Sequence, residues 1–322
     1  MKTKRYIAHF LLVLTYLFSY SYAYGWDNAG HALSAAIAWD KMTPETREAV
    51  FKIIMSAPED SDLSVPFNFY NSMSLHSKQR DLFMYAANWA DNIKDRSFKN
   101  RYRKYNHSTW HYSDIFWKDE EGRAVVLENF DGEGGEAVTK LYEFEATMRD
   151  PKAEDSAKAI ALAWFVHVAG DLHNPLHNAS RITTTEPKGD QGGNLFILRE
   201  NVPNGQRGVN LHSFWDGLIT NNDKRKNDQC DSDYITAIAK RLEKKYPEQK
   251  MGDLETGKYK EWNQEEFKLL EAVVYTPTLQ RNQMPEKKYT KTALKTAERN
   301  LALAGYRIAA TLNAIFGTKS TK

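Results

Sequence analysis

The sequence predicts a mainly α fold in one compact multi-helix domain with one short β-hairpin. Three observations carry that expectation. Apolar residues recur at helical spacing along most of the chain, strand-like runs are confined to one stretch, and no linker or internal repeat divides the 322 residues. The composition, 41% hydrophobic and 27% charged, is that of an ordinary globular protein, so a buried core is expected.

Residues 1–25 stand apart. Lys2, Lys4 and Arg5 form a charged start, residues 7–18 are mostly apolar yet too short to span a bilayer, and Ala23 and Gly25 supply small residues. This reads as a cleaved export signal and predicts a secreted or periplasmic protein beginning at Trp26. Its three basic residues take the formal charge from +2 to −1. A protein gripping duplex DNA by its phosphates usually carries a basic surplus. Positive charge for a nucleic acid must therefore be local here, and a bound cation is one source.

From Trp26 onward the elements follow in order. Residues 30–40 are an Ala-rich helix. Thr43 caps a second helix with Pro44 at its first position, running to about residue 56. Residues 57–79 read as a loop-rich excursion. Helices are expected over 79–94, 136–148, 155–169, 235–245 and 264–274, and a long one over 293–316. Residues 193–198 and 209–211 pair as the hairpin through a turn at 203–205. Residues 250–262 read as a loop and 318–322 as a disordered tail, leaving 26–317 as the domain. Cys230 is the single cysteine, which excludes an intramolecular disulfide and a multi-thiolate metal site.

Histidines and aspartates recur at short ordered spacings. His167 and Asp171, four apart, share one face of an apolar helix, where buried they either satisfy each other or hold a cation. His177 follows after Pro175, which re-aims the chain. His212 and Asp216 repeat the spacing of four. Asp91 ends the helix that carries Phe83, Ala87 and Trp89, and His111 lies between Trp110 and Tyr112. His31 opens the first helix, five residues after Trp26. A free Trp26 amine and carbonyl can chelate a cation in a five-membered ring, or the indole is simply a buried anchor. His76, His107 and His173 are left as surface or outer-shell residues. Imidazole and carboxylate are what zinc takes where thiolate is absent, and nine ligands suit about three ions.

The ordered set of Trp26, His31, Asp91 in WAD, His111 in WHY, His167, Asp171, His177, His212 and Asp216 resembles the zinc-dependent single-strand nucleases of the S1/P1 family. That family lies within the phospholipase C/P1 nuclease superfamily. GGN at 192–194, NLHSFWD and the terminal AGYRIAATLNAIF extend the resemblance over nearly all of 26–317. It implies three zinc ions: one held by Asp91, His111, His167 and Asp171, one by His177, His212 and Asp216, and one by Trp26, His31 and a bridging Asp171. It also implies metal-assisted hydrolysis of single-stranded DNA or RNA to 5′-phosphorylated products, with 3′-nucleotidase activity and Lys94 offsetting phosphoryl charge. Tyr112 would stack a base and Asp114 accept a hydrogen bond from it, with core packing the other reading of Tyr112. Asn194 is either a phosphate-side donor or a turn asparagine.

The sequence departs from the family pattern in three places. It cannot form the disulfides of eukaryotic members, Lys94 stands where arginine is common, and the segments 91–111 and 177–212 are long. Lysine lacks the bidentate fork of arginine. A zinc phospholipase C commonly has glutamate as its last acidic ligand, so Asp216 favours the nuclease branch. A non-catalytic zinc- or nucleotide-binding protein remains the alternative from another class. No membrane insertion and no obligate protein partner are expected.

Overall fold

The computed structural model describes residues 26–69, 73–200, 208–226 and 229–317, so the expected signal and tail lie outside the described residues. Helix α1 (Asn28–Lys41) starts at Asp27, whose carboxylate accepts from the Gly30 amide at 3.0 Å. Its small Ala-rich surface lets neighbours approach on every side, and Gly30 through Trp39 are all buried. Helix α2 (Pro44–Met55) begins as the sequence predicts, with Thr43 Oγ1 accepting from Thr46 N at 3.2 Å and Pro44 at the first position. After 3-10 turns at Glu59–Ser61 and Val65–Phe69 comes α3 (Leu75–Asn92), then α4 (Lys99–Tyr105) and a 3-10 turn at Ser108–His111.

Strands β1 (Ile115–Glu120) and β2 (Arg123–Val126) form an antiparallel hairpin with Trp117 opposite Val126. Helices α5 (Ala137–Arg149) and α6 (Asp155–Asp171) follow, then a 3-10 turn at Pro175–His177. Strand β3 (Ala179–Arg181) joins β1 in parallel, Ile115 opposite Ala179. Strands β4 (Ile197–Arg199) and β5 (Val209–Asn210) pair antiparallel as expected, although the turn at 203–205 lies outside the described residues. The chain continues through α7 (Leu211–Asp216), α8 (Leu218–Asn222), α9 (Asp231–Lys245), α10 (Tyr259–Phe267), a π-helical turn at Leu270–Val274 and α11 (Lys287–Phe316).

Helix α6 is the axis. Residues 161–171 are buried without interruption, and α1, α2, α3, α5 and α11 all pack on it. A helix apolar all round can only be surrounded. Helix α1 lies against α11 at a glycine: a Cβ on Gly305 would come within 2.7 Å of Ile37 Cβ and 2.8 Å of the Ser34 carbonyl. No helix among the described residues is long and apolar enough to cross a membrane.

The mainly α expectation holds, with two kinds of departure. A three-stranded sheet, β2-β1-β3, accompanies the expected hairpin, and α4 occupies a stretch given no element. Both escape periodicity because each buries one residue: Trp117 in β1, Tyr105 in α4. Boundaries also move. Helix α10 starts at Tyr259 inside the expected loop, α3 starts at Leu75, and α11 begins six residues early in KKYTKT, where only Tyr289 is buried.

Candidate metal centre

Four elements converge at the C-terminal end of α6. Helix α3 delivers Asp91 from its last turn, α6 delivers His167 and Asp171, and α1 delivers His31 from its first turn. The 3-10 turn before β1 delivers His111. All five side chains are buried. His167 Nε2 lies 3.1 Å from Asp171 Oδ2, 3.7 Å from Asp91 Oδ1 and 2.9 Å from His111 Nδ1. His111 Nδ1 lies 3.1 Å from Asp171 Oδ2. His31 Nε2 lies 3.3 Å from Asp171 Oδ1 and 3.9 Å from Asp91 Oδ2. Asp171 thus turns one oxygen to His31 and the other to His111 and His167.

A second group sits beside the first. His177, His212 and Asp216 are buried with their ligand atoms within 4.8 Å of one another. His177 and His212 have ring centroids 4.7 Å apart, and His212 Nε2 is 3.6 Å from Asp216 Oδ2. His177 Nδ1 is 4.0 Å from Asp171 Oδ2, which joins the two groups. Pro175 explains the placement: α6 stops at Asp171, Asn174 is extended, and the turn from Pro175 carries His177 back beside the helix end.

The far side of three rings fixes their tautomers. His167 Nδ1 meets the Ala87 carbonyl at 2.8 Å, His177 Nδ1 the His111 carbonyl at 2.7 Å, and His212 Nδ1 the Gly192 carbonyl at 2.7 Å. A carbonyl only accepts, so each Nδ1 carries the proton, and in the neutral ring that ligates a cation each Nε2 keeps a lone pair. Gly192 makes its contact possible by standing at φ +60°, where a Cβ would meet the Leu176 carbonyl at 2.2 Å. His173 is the control. It too is fully buried, but Nδ1 bonds the Ala169 carbonyl at 2.7 Å and Nε2 accepts from Arg307 Nη1 at 3.1 Å, so both nitrogens are satisfied.

The two groups leave polar atoms stranded. His31 Nδ1 and Nε2, His111 Nε2, His177 Nε2, Asp91 Oδ2 and Asp171 Oδ1 are buried with no hydrogen-bond partner. One such atom costs about 1–3 kcal/mol, so six in one place call for a compensating charge. Ligands at 2.0–2.1 Å from a tetrahedral ion lie roughly 3.4 Å from one another. The separations above, 2.9 to 4.0 Å, bracket that value, and the residues present fit a group of divalent cations.

Electrostatics point the same way. Burial pushes Asp171 up, yet His167, His177 and His31 together hold it well below the usual carboxylate range. Burial pushes the Asp91 carboxyl up, and Lys94 first, then His167, His111 and His31, outweigh it, holding it at about 2. Burial followed by Lys94 pushes His111 down to about 3. Burial and the charges of Asp171, Asp27 and Asp91 push Asp216 well above its ordinary value. Three buried carboxylates repelling one another are what a multivalent cation relieves.

The remaining expected site residues lie nearby. Trp26 is fully buried and its indole donates to the Gly170 carbonyl at 3.0 Å, one residue from Asp171. The Asp27 amide donates to the Asp216 carbonyl at 3.3 Å, so the segment is pinned between the two groups. Lys94 Nζ is buried 2.7 Å from Asp91 Oδ1. Tyr112 is half-buried, its phenol pushed up to about 12 by burial and by Asp114. Burial and the charge of Asp190 push the Asp114 carboxyl well above its usual range. Protonated, it offers an O–H as well as the acceptor oxygen expected of it. Asn194 spends its amide on the loop, donating to the Gln191 carbonyl at 2.9 Å and accepting from Asn210 at 3.3 Å, which fits the turn reading.

Sequence reasoning missed Asn174, whose Nδ2 donates to Asp216 Oδ1 at 2.9 Å, and the three orienting carbonyls. Backbone groups leave no trace in residue identity. Of the histidines set aside, His76 is exposed, His107 stacks on Trp110 at 3.7 Å, and His173 is interior rather than surface. Asn178 heads a glycosylation pattern but is fully buried with both amide protons bonded, to the Leu172 and Asn174 carbonyls. A model of the S1/P1 nuclease family matches residues 26–317. No curated protein matches the chain.

Proposed function

This chain belongs to the S1/P1 nuclease family, and on that premise we propose an exported, trinuclear zinc endonuclease that cuts single-stranded DNA and RNA to 5′-phosphorylated products and acts as a 3′-nucleotidase. Its metal-dependent hydrolase domain spans residues 26–317. The observation that carries the reading is Asp171: one buried carboxylate with each oxygen facing a different histidine set, amid ring nitrogens without partners.

Asp91, His111, His167 and Asp171 would hold one ion, and His177, His212 and Asp216 a second. Trp26, His31 and Asp171 would hold a third once the export signal is removed and the Trp26 nitrogen becomes an amine. Bound divalent ions supply Lewis acidity, acidifying water and offsetting charge on phosphoryl oxygens. The chain's own residues do the rest. The carbonyls of Ala87, His111 and Gly192 hold three imidazoles in the ligating tautomer. Lys94 helps keep Asp91 ionised and would offset phosphoryl charge in the transition state. Tyr112 and Asp114 would hold the base beside the scissile phosphate, with stacking giving affinity at little sequence preference.

The test is metal analysis and activity on secreted protein after N-terminal sequencing. A chain starting at Trp26 should hold about three zinc ions, and one retaining residue 25 fewer. It should hydrolyse single-stranded DNA and RNA. Hydrolysis of phosphatidylcholine alone, or full activity in metal-free protein, overturns the proposal.

A further inference from the structure

The net charge of the whole chain is near zero, yet residues 94–104 carry six basic side chains against one acidic. This stretch, KDRSFKNRYRK, leads from the end of α3 through α4. Its side chains alternate charge with aromatic rings, and most face solvent. Arg96, Phe98, Lys99, Arg103 and Lys104 are exposed, Phe98 by 51% of its surface. Phe98 is one of nine exposed large apolar side chains among the described residues, and it stands within this basic cluster.

We propose that α4 and the loop before it form a docking track for single-stranded nucleic acid, feeding the strand to the metal centre. The inference rests on the nuclease reading and names which surface selects long single strands over short ones. Phe98 is the stacking platform, and Lys99 and Arg103 are phosphate contacts.

Three observations support the track. The first is its anchoring to the metal centre. Arg101 donates to Asp62 Oδ2 at 3.1 Å and to the Asn92 carbonyl at 3.4 Å, and its guanidinium lies 4.2 Å from the Phe98 ring centroid. One rigid fork thus ties Phe98 to the residue next to Asp91 and backs a ring that remains half exposed. The second is stiffness. Lys104 and Tyr105 both bond Asp60, at 2.6 Å each, and Tyr105 packs on Trp89, so the short helix does not rest on its own propensity. The third is shape. A depression of about 480 Å³ lies beside Phe98, walled by Asp60, Asp62, Lys99 and Arg101.

The charges sort themselves. Asp60 and Asp62 take Lys104 and Arg101, which fix the platform, while Lys99 and Arg103 are exposed, Arg103 donating to Asn100 Oδ1 at 2.8 Å. Phe98 lies seven residues past Asp91, at most about 25 Å along the chain. A strand rising about 3.4 Å or more per nucleotide crosses that distance within about seven nucleotides. A duplex cannot offer an unpaired base to Phe98, which makes the track selective for single strands.

The test uses the metal-loaded, full-length secreted protein and three probes: a dinucleotide, a mixed-sequence single-stranded oligonucleotide of about 20 nucleotides, and its duplex. Phe98→Ala should lower kcat/KM on the oligonucleotide about tenfold, shrink the preference for single strand over duplex, and leave the dinucleotide rate within about twofold. Lys99→Gln with Arg103→Gln should reduce the salt slope of oligonucleotide binding by about 1.4, since each lost single-strand phosphate contact removes about 0.7. Unchanged metal content and melting temperature establish that the variants fold. Equal loss on dinucleotide and oligonucleotide, or an unchanged salt slope, overturns the track. Should the wild type cut none of the three probes, the nuclease reading fails by itself. Anisotropy titration of the oligonucleotide then still decides, with equal affinity and salt slope in wild type and variants ruling the track out.

Discussion

At Asp91 a lysine already does part of what a metal would do. Lys94 and Asp91 are both buried, 2.7 Å apart, and Lys94 is the largest of the favourable charges that hold the carboxylate near pKa 2. Removing one partner of a buried pair costs about 3–5 kcal/mol because the other is left uncompensated. Lys94→Met should therefore destabilise the chelated protein by about 3 kcal/mol in urea unfolding. Adding zinc should recover most of that loss, since a divalent ion takes over the compensation. A variant equally unstable with and without metal would show that Asp91 does not face a cation site. Gly192 makes a second residue-scale prediction. Gly192→Ala puts a Cβ 2.2 Å from the Leu176 carbonyl at a left-handed backbone position. The loop must shift, and the carbonyl that orients His212 shifts with it. Zinc content should fall by about one ion per chain, and zinc affinity at that position by about 10–100-fold, with the other ions retained. Titration with a competing chelator measures both.

Between elements, the notable junction is α11 against the end of α6. Arg307 is buried on α11, donates to His173 Nε2, to the Asp253 carbonyl and to Glu265 Oε2 at 2.7 Å, and lies 4.9 Å from the Trp262 ring centroid. Burial first, and then the Arg307 charge, push His173 down to about 3, so it stays neutral in the folded state. The unfolded chain takes the proton near pH 6.5. Below that pH the unfolded state binds more protons, so stability contributed by neutral His173 is fully present above about 6.5 and is lost as pH falls toward 3. In metal-free protein, His173→Gln should flatten the stability–pH slope between pH 6.5 and 4 relative to wild type. An identical slope would mean that His173 titrates normally. The elements that periodicity missed have a similar logic. Helix α4 and strand β1 are held by side chains from distant segments, Asp60 on Tyr105 and Tyr275 packed on Trp117, which no local window contains.

For the whole molecule, metal and fold are coupled. Ligands brought from α1, α3, α6 and α7 meet only in the folded chain, so binding energy is folding energy. Each site saturated at one hundred times its Kd adds about 2.7 kcal/mol. Stripping about three ions with a strong chelator should lower Tm by at least about 10 °C and abolish hydrolysis, both returning on zinc addition. Scanning calorimetry with and without chelator checks this, and an unchanged Tm would remove the ions from the account of stability. Asp171→Asn removes the carboxylate that faces both histidine sets. It should lower the metal count by about two and the activity at least hundredfold, read by metal analysis on protein whose folding is verified.

What the sequence by itself determined are features written in local spacing. The four-residue steps from His167 to Asp171 and from His212 to Asp216 put each pair on one helix face. Thr43-Pro44 opened α2 where a cap and a first-turn proline must, and uninterrupted apolar flanks marked α6 as the interior helix. Tertiary structure alone decided the rest. It set which oxygen of Asp171 faces which histidine, which carbonyls lock the imidazole tautomers, and why buried His173 is spoken for by Arg307 while equally buried His31 is not. It also decided that a polar, unpatterned stretch after Asp91 becomes a helix with an exposed aromatic ring. The physical reason is range. Spacing encodes which face a side chain takes, whereas desolvation, hydrogen-bond partnership and the field at a buried group depend on atoms contributed by segments far apart in the chain.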